Sequence, residues 1–378
     1  MALPTETKQW TTKQDGINKL EQETASLPKL ADGEVLVKVL AVSLNYRDTE
    51  VIRGEYNHHK TVSQGSAGLV PCSDMCGLII QSASKKFSTG ERVLSIFNQT
   101  HTTGQVVEEN MASGLGLPTP GVLTEYRIFP EYGLVKTPDY LSDEQASTLA
   151  IAAVTSWMSI NWNQPIGDHL KGQEKTVLLQ GTGGVSIAGL QIAKACGMKT
   201  IITSSSDKKL EQAKALGATH TINYKTDPNW DTTVLSLTNN KGVDIILETG
   251  GALTLPKSFS CIAFGGTIAA IGYLGGKEEP KEGSLNVNVL ALKRNVTIKG
   301  ILNGPRDRFE ELLGVYEMEK IVPVVDKVFT FEQAKEALLY LESGGHFGKV
   351  VVKVGTVSGV RSITTFITHR KEMDFWSD

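Results

Sequence analysis

With 378 residues, 40% of them hydrophobic and 21% charged, the chain has enough apolar material for two globular cores. A formal net charge of -3 gives no electrostatic reason to expect nucleic acid or an anionic membrane surface as partner. No apolar run approaches the roughly 20 residues that span a bilayer. Met1-Ala2-Leu3-Pro4-Thr5-Glu6 lacks the charge and apolar core of a signal peptide. Cys72, Cys76, Cys196 and Cys261 are too sparse for a disulfide scaffold, so a reducing, cytoplasmic setting is expected.

The first third reads as β-rich. Glu34-Val35-Leu36-Val37-Lys38-Val39-Leu40-Ala41-Val42 has strand alternation and β-branched content, and shorter strands are expected at 77–80 and 92–97. Residues 98–121 form a loop rich in Thr, Gly, Glu and Pro; loops that long usually shape a site or an interface. Its Met111, Leu115 and Leu117 are candidates to face an apolar substrate. From about Lys175 the pattern becomes strand–helix alternation, the mark of a parallel sheet covered on both faces. Strands are expected at 176–180, 200–203, 220–224, 243–247, 267–271 and 296–301, enough for a complete dinucleotide-binding sheet. Between them, Val185 to Cys196 and Leu210 to Leu216 have helical spacing, and Gly217 closes the second helix. After Gly304-Pro305 the chain turns helical, then strand-like at 349–354. The tail from Thr356 has no periodicity and is expected to be an appended segment. This divides the chain at 1–150, 151–304, 305–355 and 356–378.

Gly181-Thr182-Gly183-Gly184-Val185-Ser186 stands between the first strand and first helix of this α/β region. Gly181 permits a tight turn, Gly183 lets backbone approach a pyrophosphate, and the N–H groups opening the helix face phosphate oxygens. The third glycine of the fingerprint is replaced by Ser186. At the end of the second strand, where NAD enzymes place an acid for the ribose 2′-OH, the run is Ser204-Ser205-Ser206-Asp207-Lys208-Lys209. Hydroxyls at Ser204 and Ser205 with the charge of Lys209 suit a 2′-phosphate, so the expected cofactor is NADP(H). Ser206 and Asp207 also make a sensible helix cap.

These motifs, with Leu44-Asn45-Tyr46-Arg47-Asp48, Ala152 to Trp157, Ala213 to Ala218, Ile222-Asn223-Tyr224, Glu248-Thr249-Gly250-Gly251, Ile271-Gly272 and Gly344 to Val351, resemble a known family. It is the zinc-independent, alcohol-dehydrogenase-like branch of the medium-chain dehydrogenase/reductases, kin to quinone oxidoreductases and enoyl reductases. The resemblance spans about residues 32–354. It implies a doubly wound Rossmann sheet inserted into a discontinuous, GroES-like β-rich catalytic domain formed by both chain ends. It further implies Thr155 near the nicotinamide, and Lys209 and Tyr224 near the 2′-phosphate. Gly250, Ile271, Asn303, Phe347 and Lys349 would border the cofactor cleft. A homodimer is also implied, with strand 296–301 meeting its mate.

Zinc members of this superfamily carry a Cys ligand where this chain has Asn45-Tyr46, and a Gly-His-Glu segment where it has Ser73-Asp74-Met75. The remaining candidates, Cys72-x-x-x-Cys76 and His58-His59, do not make a three-ligand catalytic site, and no metal is expected. Without zinc, reducing a plain carbonyl lacks a stabiliser for alkoxide charge. Adding hydride to an enone, enoyl thioester or quinone spreads the charge into an enolate, which a few donors can hold. Tyr46 stands where a proton or hydrogen-bond donor is needed, and Asn45 where a nicotinamide ribose or substrate is oriented. Arg47 and Asp48 are expected to form a structural pair. The reading is therefore an NADPH-dependent reductase of activated C=C bonds acting on a small molecule. The alternatives are a zinc-free alcohol dehydrogenase or carbonyl reductase, and a non-catalytic cofactor-binding regulator.

Overall fold

The computed structural model describes residues 3–57, 68–171, 174–278 and 285–356. His58, His59 and the segment beyond Thr356 lie outside these residues.

Two sheets organise the chain. In the first, Glu34–Ser43 is central because nearly every side chain along it is buried. It pairs antiparallel with Asp74–Ser82 and Tyr126–Pro130. Arg92–Ser95 and Leu134–Lys136 extend the sheet on one side. On the other side the chain returns: Lys349–Lys353 pairs antiparallel with Glu34–Ser43, and Val325–Thr330 adds in parallel at the edge. Residues more than 300 positions apart thus share one core, in which Val37, Val39, Val350 and Val352 pack together. The first sheet is built from discontinuous parts of the chain for this reason. An amino-terminal hairpin, Glu6–Thr11 with Glu21–Ser26, lies beside it.

The second sheet has six parallel strands in the spatial order His220–Asn223, Lys199–Ser204, Thr176–Gln180, Val243–Glu248, Ile262–Ala270 and Thr297–Gly300. Numbered along the chain, that order is 3-2-1-4-5-6, the doubly wound arrangement. Five of the six strands fall within a residue or two of their expected places; the fifth begins at Ile262, before its turn-like Gly265-Gly266. Helix Gly184–Ala195 covers the middle of the sheet. Ser186, standing for the third fingerprint glycine, is buried and donates its hydroxyl to the Gln180 carbonyl at 2.6 Å. Close helix–strand packing falls instead to Gly189, where an added Cβ would stand 2.9 Å from Leu247 and 3.0 Å from Leu179.

The 98–121 loop is a correction. It holds a short helix, Glu108–Met111, and its Met111, Leu115 and Leu117 are buried within the protein rather than presented to a substrate. Leu115 joins the first core, and Leu117 packs on Val51 and Leu69. The loop also reaches the second sheet's domain, where His101 and Thr102 carbonyls accept from the amides of Arg306 and Asp307. Its length serves a domain junction.

Candidate active site

The carboxyl ends of the parallel strands face the returning segment that precedes Lys349–Lys353, and the expected cofactor residues gather there. Gly181 takes φ 77°, a left-handed turn that glycine adopts without strain. Its amide donates to Thr203 Oγ1, and Thr182 Oγ1 lies 3.4 Å from Ser204 Oγ. Beyond Gly183, the N–H groups of Gly184, Val185 and Ser186 open the helix with no preceding turn to accept them. Gly348 N–H donates to the Thr182 carbonyl at 3.0 Å, laying the returning segment against the loop. Open space lies over Gly181, and a Cβ on Gly183 would meet nothing nearer than His346 Nε2 at 3.9 Å. These residues fit a pyrophosphate.

At the carboxyl end of strand Lys199–Ser204, Ser204 is buried and accepts the Tyr224 amide on its carbonyl at 3.0 Å. Ser205 is half-buried, and the Tyr224 ring is exposed. Ser206 is the N-cap of helix Asp207–Ala215. Lys209 Nζ reaches across to the Gly344 carbonyl at 2.8 Å, so the helix and the returning segment close over this end together.

The wall opposite the glycine loop is built on a buried carboxylate that sequence reasoning did not single out. Glu248 Oε1 accepts from the Gly250 and Gly251 amides at 3.0 and 3.1 Å and from Thr254 Oγ1. Its Oε2 accepts from Gln180 Nε2 at 2.7 Å and from Ser258 Oγ. Gln180 Oε1 in turn accepts from the Thr249 and Gly250 amides. The signal was available: Gln180 and Glu248 are polar residues directly following the apolar runs Val177 to Leu179 and Ile245 to Leu247 on two adjacent strands. Ile271 follows, donating its amide to the Glu248 carbonyl at 2.9 Å. Asn303 sits at φ 126° with its Nδ2 on the Ala150 carbonyl, beside the helix that buries Thr155. Phe347 is turned into a core that both sheets share, with Leu94 and Val135 of the first and Val177 and Leu247 of the second.

At the opposite end of the cleft, Asn45 caps helix Tyr46–Arg53. Its amide donates to Asp48 Oδ2 at 2.8 Å, and its buried side chain points inward. Tyr46, 47% exposed, stands on the helix's first turn above it. Partial burial and the nearby Glu50 and Glu55 raise the Tyr46 pKa, keeping the hydroxyl protonated. Across the cleft, Tyr273 donates to both Glu50 carboxylate oxygens at 3.0 and 2.8 Å, and Lys277 pairs with Glu50 at 3.2 Å. Arg47 and Asp48 form the expected structural pair, at 3.6 Å, with the guanidinium also stacked on Tyr56 and Phe97.

Lys349 differs from a solvated charge at the cleft edge: it is buried, and its ammonium donates to the Leu44 carbonyl and to Asn45 Oδ1, each at 2.6 Å. Burial pushes its pKa down, opposed by Asp74 and Asp48. Asp74 is buried too, accepting from Ser73 Oγ at 2.9 Å and the Ile151 amide at 3.0 Å. Burial raises its pKa, chiefly opposed by Lys349. Here the zinc members' ligands would stand. The groups present are an amide, the Asp74 and Asp48 carboxylates, the Cys72 thiol held protonated by burial, and an ammonium already among them, which do not fit a zinc ion. Among the described residues, no three His, Cys, Asp or Glu side chains converge to hold a metal. Cys72 and Cys76 are buried free thiols, their pKa values raised by burial.

Among the described residues no helix is long and apolar enough to cross a membrane. Residues 31–139 match the alcohol dehydrogenase GroES-like domain, and residues 184–317 the zinc-binding dehydrogenase domain. A zinc-type alcohol dehydrogenase-like protein of Schizosaccharomyces pombe is 40% identical over 90% of this chain and 96% of its own. A putative alcohol dehydrogenase of Sinorhizobium meliloti 1021 is 35% identical with a TM-score of 0.82, covering 93% of this chain and 100% of that one. A NAD-dependent alcohol dehydrogenase superposes with a TM-score of 0.79 at 30% identity, over 92% and 100% of the two chains. With its paired sheets, phosphate loop and these relatives, the chain belongs to the medium-chain dehydrogenase/reductase superfamily of alcohol-dehydrogenase-like oxidoreductases.

Proposed function

We propose that this protein is a zinc-independent, NADPH-dependent reductase of activated C=C bonds in a small molecule. The observation that carries the reading is the donor set at the catalytic end. A protonated, half-exposed Tyr46 directly follows Asn45, whose side chain a buried ammonium holds, and the groups around that ammonium do not suit zinc. When bound, the cofactor supplies a hydride to the substrate's β-carbon. The chain's own part is to hold cofactor and substrate in register and to meet the charge that reaches the substrate oxygen. Tyr46 O–H donates to that oxygen as it becomes an enolate, and the buried Asn45 beneath fixes the turn from which Tyr46 projects.

NADP(H) is favoured by the 2′ end, where Ser205, Lys209 and Tyr224 present a hydroxyl, a cation and a ring edge over the buried Ser204, with no carboxylate at the strand terminus. A homodimer is supported by the edge strand Thr297–Gly300, paired on one side, with Phe264, Val289 and Leu292 strongly exposed nearby. The names of the relatives favour a second reading, alcohol or carbonyl interconversion with NAD(H). One experiment separates them. EDTA-treated protein is titrated with NADPH and with NADH by cofactor fluorescence, then given a small enone or quinone. We expect tighter NADPH binding and a saturated ketone product from the enone. An allylic alcohol product, or preference for NADH, would favour the second reading.

A further inference from the structure

We propose that Lys349 is a positioning residue: its ammonium is a fixed internal cation that sets the turn carrying Tyr46, at the place where zinc members of the superfamily hold their metal. The inference rests on the reading of Tyr46 as the donor to substrate.

Three observations carry it. First, the ammonium makes two 2.6 Å hydrogen bonds to consecutive residues, Leu44 through its carbonyl and Asn45 through Oδ1. Those residues lead directly into the helix whose first residue is Tyr46. Second, the Lys349 stem crosses the start of the phosphate-loop helix at Gly184, where an added Cβ would stand 2.5 Å from Lys349 Cδ. The glycine clears a channel that takes the charge past the phosphate loop to the catalytic end. Third, the counter-charge is structural as well as electrostatic. Asp74 accepts the Ile151 amide, just before the helix bearing Thr155, and Asp48 accepts the Asn45 amide. One buried cluster therefore ties together the returning strand, the Tyr46 turn, strand Asp74–Ser82 and the entry to helix Val154–Asn161. The Asn45 side chain is buried, with the Lys349 ammonium on its Oδ1 and the Asp74 carboxylate beside it, so the lysine and its counter-charge fix it together.

A buried charge costs desolvation that an apolar residue of similar volume would avoid, so packing alone does not call for lysine here. An ammonium can orient and neutralise, but it has no open coordination position for a substrate oxygen. It therefore replaces the organising part of a metal's role and leaves charge stabilisation to Tyr46.

The test uses the full-length protein, with NADPH affinity, enone turnover and backbone hydrogen exchange read separately. Lys349→Met leaves Asp74 without its counter-charge and threatens folding, so the key variant is the double Lys349→Met/Asp74→Asn, which removes both charges. We expect it to fold and to bind NADPH within threefold of wild type. Its kcat should fall about 100-fold, the loss that a displacement of about 1 Å in a donor brings. Adding Asn45→Ala should lower kcat little further, since Lys349 and Asn45 act as one unit. Retained kcat, or a loss confined to NADPH affinity, would overturn the proposal and make Lys349 a cofactor contact. If wild type does not reduce enones, the functional reading fails on its own. Exchange at the Asn45 and Asp48 amides then decides: faster exchange in the double variant supports positioning, and unchanged protection overturns it.

Discussion

The two ends of the cleft are made of different materials. The glycine loop at the phosphate end is mostly backbone, with a left-handed Gly181, a helix N-terminus and small residues that leave room, and the buried Glu248 is confined to the neighbouring strand end. The catalytic end is mostly side chain, with Asp48, Asp74 and Lys349 all buried. Backbone amides are neutral and point where the chain path sends them, so an anion site can be assembled without burying charge. A donor aimed at one substrate oxygen needs a particular side chain at a particular angle. Here that angle is set by charges whose burial must be compensated locally. The backbone-built end should therefore tolerate loss of a side chain with little effect on folding, whereas the side-chain-built end should not.

The largest expected effect tests that contrast at its charged end. Asp74→Asn leaves the Lys349 ammonium without its main counter-charge, and we expect a loss of about 3–5 kcal/mol in denaturant unfolding. Adding Lys349→Met should recover most of it. A single variant as stable as wild type would show that solvent or another group already compensates the ammonium. At the backbone-built end, Gly183→Val enters open space at φ −80°, so the fold should be intact. NADPH affinity should drop on the order of 10–100-fold, the 1–3 kcal/mol typical of overpacking, once the cofactor must share that space. If unfolding shifts and affinity does not, the loop is not where the pyrophosphate lies. Smaller again is Lys209→Met. We expect the preference for NADPH over NADH to fall about tenfold, the ~1.4 kcal/mol left of a charge-assisted hydrogen bond at a half-buried group. An equal loss for both cofactors would remove the 2′-phosphate assignment of Lys209.

The same contrast explains what could be read from sequence. Thr176–Gln180 and Val243–Glu248 are built around short apolar runs, and Gly181 to Gly184 follow one of them directly, so the sheet and its loop are local patterns. The catalytic end is not local. Lys349 lies 304 positions from Asn45, and only the pairing of Lys349–Lys353 with Glu34–Ser43 brings them together. Nothing in Gly348-Lys349-Val350 distinguishes an inward ammonium from a surface one. The resemblance placed Lys349 near the cleft, and folding decided which way it pointed. The 98–121 loop misled for a related reason. Apolar residues in a polar loop suggest a pocket lining, but Leu115 and Leu117 found protein neighbours instead. Strand Val325–Thr330 escaped notice because, apart from Phe329 in the core, its side chains are mostly exposed, and it is fixed by pairing with Lys349–Lys353.

The smallest expected effect gives each end its own pH signature. At the catalytic end, burial raises the Asp48 carboxyl from 3.8 to about 6. At the phosphate end, burial together with Lys209 and Lys349 lowers His346 from 6.5 to about 4. A carboxyl with a raised pKa binds its proton more tightly in the folded protein, so its contribution to stability falls as pH rises from about 4 to 6. A histidine with a lowered pKa resists protonation when folded, so its contribution falls as pH drops from about 6.5 to 4. The two tendencies oppose each other in wild type and can be separated by substitution. Relative to wild type, Asp48→Asn should become more stable as pH rises through its window, because Asn still accepts the Asn45 amide and carries no charge. His346→Gln should become more stable as pH falls through its own. A pKa unit corresponds to about 1.4 kcal/mol, and relaxation around the group takes up part of it. We therefore expect roughly 1 kcal/mol at either limit, measured by thermal unfolding between pH 4 and 7. Slopes of the same sign in both variants would mean that the two ends do not differ in how they hold charge, and the contrast between them would fail.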